Sequence, residues 1–255
     1  MSAWRSASWL AATDRRFLPA VAACLVVIGA WFYGYERTYL ALRLITWDDA
    51  IFFDRLPLYV AIVMLLSLCI RRLERETMRR LVTVIVAIFA MYALAELAAP
   101  IPLPLFADEL SGATDGPAEV TQSTGWSCGA AALAWATRLH GVPASERQMA
   151  ELAVTAPLRG TSTRGMLRAL HRVGLEAQAI KPASWEDLDD IPGPALIGWK
   201  LTPTVAHAAV LLAVEGDEVI VGDPLCGQMR YEREEFMQRW LRDLIVISAP
   251  DKTSS

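Results

Sequence analysis

The 255-residue chain predicts an α+β fold, with helices packed on a mainly antiparallel sheet and three transmembrane helices ahead of them. Three observations carry this prediction. The first hundred residues hold three apolar runs, a stretch rich in proline and glycine follows, and beyond it helical patterns come first and strand patterns afterwards. With 54% hydrophobic and 20% charged residues overall, the apolar excess has to be local, and it sits in those runs.

The membrane domain covers 1–99, with helices expected at about 17–35, 53–70 and 81–98. Crossing a bilayer takes roughly 20 apolar residues. Phe17 to Tyr35 carries no charge, and Leu81 to Ala95 continues past Glu96. Pro57 to Ile70 is short by itself; it recruits Ile51, Phe52 and Phe53 across Asp54 and Arg55, or tilts less, or lies partly at the interface. Trp31, Tyr33, Tyr35 and Tyr59 suit an interfacial aromatic belt. The aromatic end of the first run offers no small-residue cleavage site, so it reads as an anchor rather than a removed signal.

Positive charge in short flanks stays cytoplasmic. Arg5, Arg15 and Arg16 precede the first run, and Arg71, Arg72, Arg75, Arg79 and Arg80 separate the second from the third. On the opposite side stand Arg37, Arg43 and Arg55. Three spans therefore predict a multi-pass protein of the inner (cytoplasmic) membrane. Its amino terminus faces the cytoplasm, and everything after about Ala99 is periplasmic or extracytoplasmic. Losing one span would reverse that side.

Residues 100–118 read as a linker, with Pro100, Pro102 and Pro104 followed by Gly112, Thr114, Asp115, Gly116 and Pro117. A domain then runs over 119–249, and 250–255 is a polar tail. Cys128 to His140 predicts a helix stopped by Gly141, with its Ala and Leu positions inward. Ser145 and Gln148 form the ends of a capping box that opens a second helix. Thr161 to Thr163, followed by Met166, Leu167 and Leu170, predicts a third, closed by Gly174. Strands are expected at 175–180, 195–200, 207–214, 218–222 and 243–248, with a helix at 232–241 before the last.

Composition also removes function classes. A net charge of −4 provides no basic face, so no nucleic-acid partner is expected. Neither a Walker A sequence nor a glycine-rich dinucleotide motif is present, which excludes ATP binding by this sequence. Cys24 and Cys69 lie in apolar runs and read as small hydrophobes. Cys128 and Cys226 form neither a disulfide framework nor a metal-ligand spacing, so no metal or cofactor is expected.

The chemistry gathers at Cys128, at the mouth of a predicted helix and six residues after Gln122. A helix amino terminus carries roughly half a positive charge and unpaired N–H groups, so a thiol there loses its proton more easily. Its backbone N–H can also face an oxyanion. A thiolate nucleophile further needs a base and a group that orients the base. His207 supplies the imidazole, Asp223 the carboxylate, and Gln122 a second, side-chain oxyanion donor. Taken singly, each has an ordinary structural use: a small buried thiol, a core histidine, a turn aspartate before Pro224, a loop amide. Their order and company single them out.

His207 and Asp223 sit on two arms of a hairpin turning at Glu215, Gly216 and Asp217. Side chains alternate faces along a strand. A three-residue loop puts position 209 opposite 223, with His207 diagonal to Asp223 on one face. A two-residue turn at Gly216 and Asp217 puts them on opposite faces.

Gln122 to Ala132, Gly160-Thr-Ser-Thr-Arg-Gly165, His207 to Leu212, and Gly222 to Gly227 leading to Glu235–Trp240 resemble the bacteriocin-processing peptidases that cleave double-glycine leaders. The resemblance covers about 119–248. It implies a papain-like fold and a cysteine-type endopeptidase whose peptide substrate is cut after Gly-Gly. By motif it places the nucleophile at Cys128, the base at His207, the orienting carboxylate at Asp223 and the oxyanion amide at Gln122. Degenerate members of the family lack the cysteine and only bind substrate, whereas Cys128 is kept here.

The chain departs from the usual family pattern by carrying no transporter core or ATPase sequence, and by its predicted extracytoplasmic domain. A separate export machine is therefore a candidate partner, and exported or membrane-tethered peptides are the candidate substrates. Two rival functions remain open on sequence: a non-cutting module that binds a leader or partner, and a papain-fold amidase or acyl transferase. Cys226 reads as a half-buried loop thiol, with a disulfide to Cys128 as its alternative use. His140 and His171 read as helix-face residues without chemistry.

Overall fold

Apolar runs and alternating patterns separate into two compact units, Met1–Ala98 and Ala99–Ser255, in the computed structural model. It describes residues 17–36, 56–70, 73, 75–111, 118–157, 159–188, 191–202 and 205–248. The basic flank before residue 17, the first loop with residues 53–55, Arg71 and Arg72, the 112–117 part of the expected linker, and the tail at 250–255 lie outside the described residues.

Each expected apolar run forms a helix: α1 is Phe17–Glu36, α2 Leu56–Ile70 and α3 Glu76–Ala98. No internal proline interrupts α3. α3, at 23 residues and a mean hydropathy of 2.3, is long and apolar enough to cross a membrane. Phe17–Trp31 and α2 are shorter apolar helices. α2 packs against both α1 and α3, with Tyr59 edge-on to Phe89 at 5.8 Å. Few side chains are buried between them, while Val26, Ile88, Met91 and Leu94 are more than half exposed. Apolar side chains thus lie on the outer faces of these helices too.

In the second unit the stretch expected as linker carries a helical turn, α4 (Leu103–Phe106), continued as a 3-10 turn over Ala107–Glu109. Pro104 sits in its first turn, where a missing N–H costs nothing. Leu103, Ala107 and Leu110 are buried. Phe106 lies edge-on to Trp126, and Asp108 accepts from Arg147 at 3.0 Å.

Three helices follow: α5 (Cys128–Leu139), α6 (Glu146–Leu152) and α7 (Thr163–Arg172). Ser145 and Ser162 cap the last two, their hydroxyls accepting from the N–H of Gln148 and Gly165, both at 3.1 Å. Residues 129–137 of α5 are all buried, which its run of alanines permits, since a nearly smooth helix can lie flat on a sheet. Two glycines allow the close approach. A Cβ on Gly222 would stand 2.9 Å from the Trp135 ring, and one on Gly129 would stand 2.7 Å from Thr161 Cβ.

Six strands form one antiparallel sheet: β1 (Glu176–Ile180), β2 (Ala195–Thr202), β3 (Val205–Glu215), β4 (Glu218–Asp223), β5 (Gly227–Glu232) and β6 (Trp240–Ser248). Their order is β1-β6-β2-β3-β4-β5, and α8 (Arg233–Arg239) joins β5 to β6. A core of Trp185, Trp199, Phe236 and Trp240 packs with Ala209, Leu211, Val219 and Val221. Phe236 is central to it, 5.7 Å from the Trp199 ring and 5.4 Å from Trp240.

β5 is a strand that the sequence pattern did not announce. It is an edge strand whose Gln228, Met229 and Arg230 are all exposed, so it lacks the alternation that marks a half-buried strand. Arg230 holds it to the hairpin through Glu215 and Glu218.

The β3–β4 hairpin resolves the face question in an unexpected way. Its turn has two residues, Gly216 and Asp217, between the pair Glu215↔Glu218. Two residues alone would put His207 and Asp223 on opposite faces. The register then shifts by one between Ala213↔Ile220 and Leu211↔Val221, leaving Leu212 as a bulge. That extra residue brings position 209 opposite 223, as the longer loop would have done.

Candidate active site

The segment before α5 is tied down at several points. The Gln122 N–H donates to Pro224 O at 2.9 Å, joining this loop to the turn after β4. The Ser123 N–H and hydroxyl donate to Glu146 Oε1 and Oε2 at 2.9 and 2.5 Å. The Thr124 N–H donates to Ser127 Oγ, which returns a bond to the Thr124 carbonyl, both at 3.1 Å. The chain thus reaches Cys128, the first residue of α5, in a fixed path.

His207 comes from β3 and Asp223 from the end of β4, both about 5% exposed. His207 Nε2 is 2.7 Å from Asp223 Oδ1, and the same oxygen accepts from the Leu225 N–H at 2.8 Å. With Nε2 engaged, Nδ1 is the ring nitrogen left for Cys128. The Cys128 sulfur does interact with His207, and with the backbone N–H groups of Ala208 and Gly129. Three of the four residues singled out in the sequence therefore form one connected chain, Cys128–His207–Asp223.

Charge in this chain is set by opposing influences. Burial works against the thiolate, yet the His207 hydrogen bond, the Ala208 N–H, the His207 charge and the Gly129 N–H together hold the Cys128 thiol below its ordinary value. Burial likewise works against the imidazolium, but the bonds and charges of Asp223 and Cys128 push His207 up to about 9. Asp223 is raised by burial and lowered by His207 and the Leu225 N–H, with a net shift downward. The arrangement shifts the sulfur toward thiolate and the ring toward imidazolium, the charge states that make a sulfur nucleophilic.

Gln122 stands differently. Its Nε2 donates to the Thr124 carbonyl at 2.7 Å, and its Oε1 is buried without a hydrogen-bond partner. The amide is close in sequence and tied through its backbone to Pro224, but its donor is engaged within its own loop.

Glu146 is the residue that sequence reasoning missed. It reads as an ordinary acidic residue in the first turn of α6, yet it is 1% exposed and grips Ser123. A signal was present: Glu146, Met149, Ala150 and Ala153 are spaced i, i+3, i+4 and i+7 and are all buried, so the carboxyl group sits on the inward stripe.

Cys226 donates its N–H to Asp223 O at 3.1 Å, and its side chain is exposed rather than half-buried. Cys128 and Cys226 are both free thiols. His140 Nε2 lies 2.8 Å from Pro194 O, a structural contact. Among the described residues no three His, Cys, Asp or Glu side chains gather to hold a metal ion.

Known proteins resemble this unit. An uncharacterized protein of Methanothermobacter thermautotrophicus is 32% identical over 131 residues, which is 51% of this chain and 88% of that protein. The probable functional amyloid protease FapD of Pseudomonas aeruginosa is 32% identical over 128 residues, 48% of this chain and 56% of its own length. Among solved structures, the peptidase domain of Streptococcus ComA, a bi-functional ABC transporter, is similar at 25% identity and a TM-score of 0.47, covering 51% of this chain and 96% of that domain. Residues 118–252, more than half of the sequence, match the family described as Peptidase C39, and the chain belongs to that family.

Proposed function

We propose that this protein is a membrane-anchored, papain-like cysteine peptidase that cuts a peptide bond after small residues, of the Gly-Gly type, in the leader of an exported or membrane-tethered peptide. The observation that carries the reading is the buried relay in which His207 is bonded to Asp223 and interacts with the Cys128 sulfur. Family membership and the similarity to FapD, a probable protease, support it.

In this reading the Cys128 thiolate attacks the scissile carbonyl carbon, and the carbonyl oxygen becomes an oxyanion. The Cys128 N–H at the start of α5 receives that charge, and the Gln122 amide joins it by turning away from Thr124. The tetrahedral adduct collapses, the C–N bond breaks, and the His207 imidazolium gives its proton to the departing amine. A thioester remains on Cys128. His207, now neutral, takes a proton from water, whose oxygen attacks the thioester and frees the acid. Asp223 holds the ring and stabilises each imidazolium stage.

α3 and the outward-facing apolar side chains of α1–α3 support the anchor, with Arg75, Arg79 and Arg80 at the start of α3 on the cytoplasmic side. The peptidase unit then works on the extracytoplasmic side, alongside a separate export machine.

The test uses the full chain in detergent with an activity-based thiol probe and a Gly-Gly peptide library. Labelling and cleavage by wild type, both lost in Cys128→Ala, are expected. Labelling without cleavage of any peptide would overturn the peptidase reading.

A further inference from the structure

We propose that Glu146 is a positioning residue for catalysis: its buried carboxyl group clamps Ser123 and thereby holds the loop that carries Gln122, the side-chain oxyanion donor. The inference rests on the peptidase reading for its chemistry, and on the geometry of the Ser123 clamp for its structure.

Glu146 is 1% exposed, and both of its oxygens are directed at one residue, the Ser123 N–H at 2.9 Å and the Ser123 hydroxyl at 2.5 Å. A carboxyl group removed from water is retained only where its oxygens are hydrogen-bonded, and removing it would leave a buried backbone N–H unpaired. Ser123 lies next to Gln122 and five residues before Cys128. Other ties of this segment include the Gln122 N–H to Pro224, and bonds internal to the loop, from Gln122 Nε2 to the Thr124 carbonyl and between Thr124 and Ser127. The first fixes the loop to the β4 end and the second only stiffens it. Glu146 joins its middle to α6. The relay of Cys128, His207 and Asp223 is built from α5, β3 and β4 and does not pass through α6.

Loss of the clamp should therefore leave thiolate formation intact while the loop shifts away from the oxyanion. A misplaced donor costs about 10²-fold in turnover. Gln at 146 can keep the shape, its oxygen accepting from the Ser123 N–H and its NH₂ donating to the Ser123 hydroxyl.

The experiment compares wild type, Glu146→Ala and Glu146→Gln as full chains in detergent. Four quantities are read: the rate of Cys128 alkylation by iodoacetamide against pH, kcat and KM on a Gly-Gly peptide, and amide exchange over residues 122–127. In Glu146→Ala the alkylation profile should be unchanged, kcat should fall about 10²-fold with KM nearly kept, and loop amides should exchange faster while the sheet stays protected. Glu146→Gln should recover most of kcat. Unchanged kcat in Glu146→Ala, or alkylation and turnover falling in parallel, would overturn the proposal. A wild type that cleaves no peptide counts against the peptidase reading instead; loop exchange then decides the clamp, and wild-type protection in Glu146→Ala would refute it.

Discussion

His207 Nε2 and Asp223 Oδ1 meet at 2.7 Å with both side chains buried, so the imidazole has one nitrogen committed to a carboxylate and one left to serve the sulfur. That division of labour makes the three residues unequal under substitution.

Cys128→Ala and His207→Ala should abolish turnover, because no other group can form the thioester or move its proton. Asp223→Asn and Gln122→Ala should leave weakened enzymes, each down about 10²-fold or more. Steady-state kinetics on one cleaved peptide ranks all four. Wild-type rates in Cys128→Ala would end the mechanism.

The pH dependence follows from the two shifted groups. Falling pH protonates the thiolate, whose pKa is lowered, so activity declines on the acid side at a pH below that of a free thiol. Rising pH removes the imidazolium proton near 9 and with it the acid that the leaving amine needs. A bell-shaped kcat/KM profile with an alkaline limb near 9 is expected, its limits belonging to the coupled pair. Asp223→Asn removes the carboxylate that raises His207, so its alkaline limb should move to lower pH. An alkaline limb that stays near 9 in that variant would refute the assignment.

Gly222 carries a packing prediction. An added methyl would sit 2.9 Å from carbons of the Trp135 ring, inside contact distance, where α5 rests on β4. Gly222→Ala should destabilise the unit by about 1–3 kcal/mol, the usual cost of overpacking. Denaturant melts read it, and activity should drop too because Asp223 is adjacent. Wild-type stability would show that the helix can lift without cost.

Topology gives the fourth prediction. A reporter fused after Ser255 and active only outside the cytoplasm should function, as three crossings with a cytoplasmic amino terminus require. A fusion active only in the cytoplasm would mean an even number of crossings.

Much of this was legible in the sequence because local rules and the fold agree. The Ser145 and Ser162 caps, the alanine face of α5 and the apolar strands β2–β4 all follow from short-range pattern. Cys128 opens a helix and Asp223 precedes Pro224, whereas His207 lies inside an apolar strand and is singled out only by its company and by the family resemblance. What escaped was long-range. Whether a polar stretch such as Gln228–Glu232 pairs depends on the neighbour that receives it, and β4 had an open edge. Whether Pro100–Leu110 stays free depends on a surface that can bury Leu103 and take Phe106 edge-on against Trp126. The inward carboxyl group of Glu146 was hidden by its ordinary place in a capping box.

Leu212 makes the reactive centre a matter of residue count rather than residue type. Held out of the ladder, it lets Leu211 face Val221 and so position 209 face 223; paired straight through from the turn, the same residues would set Val210 opposite Asp223 and turn the imidazole away from its carboxylate. Loss of Leu212 itself would leave those pairs in place, so the bulge is the one point of this hairpin where a residue can drop out without moving the reactive groups.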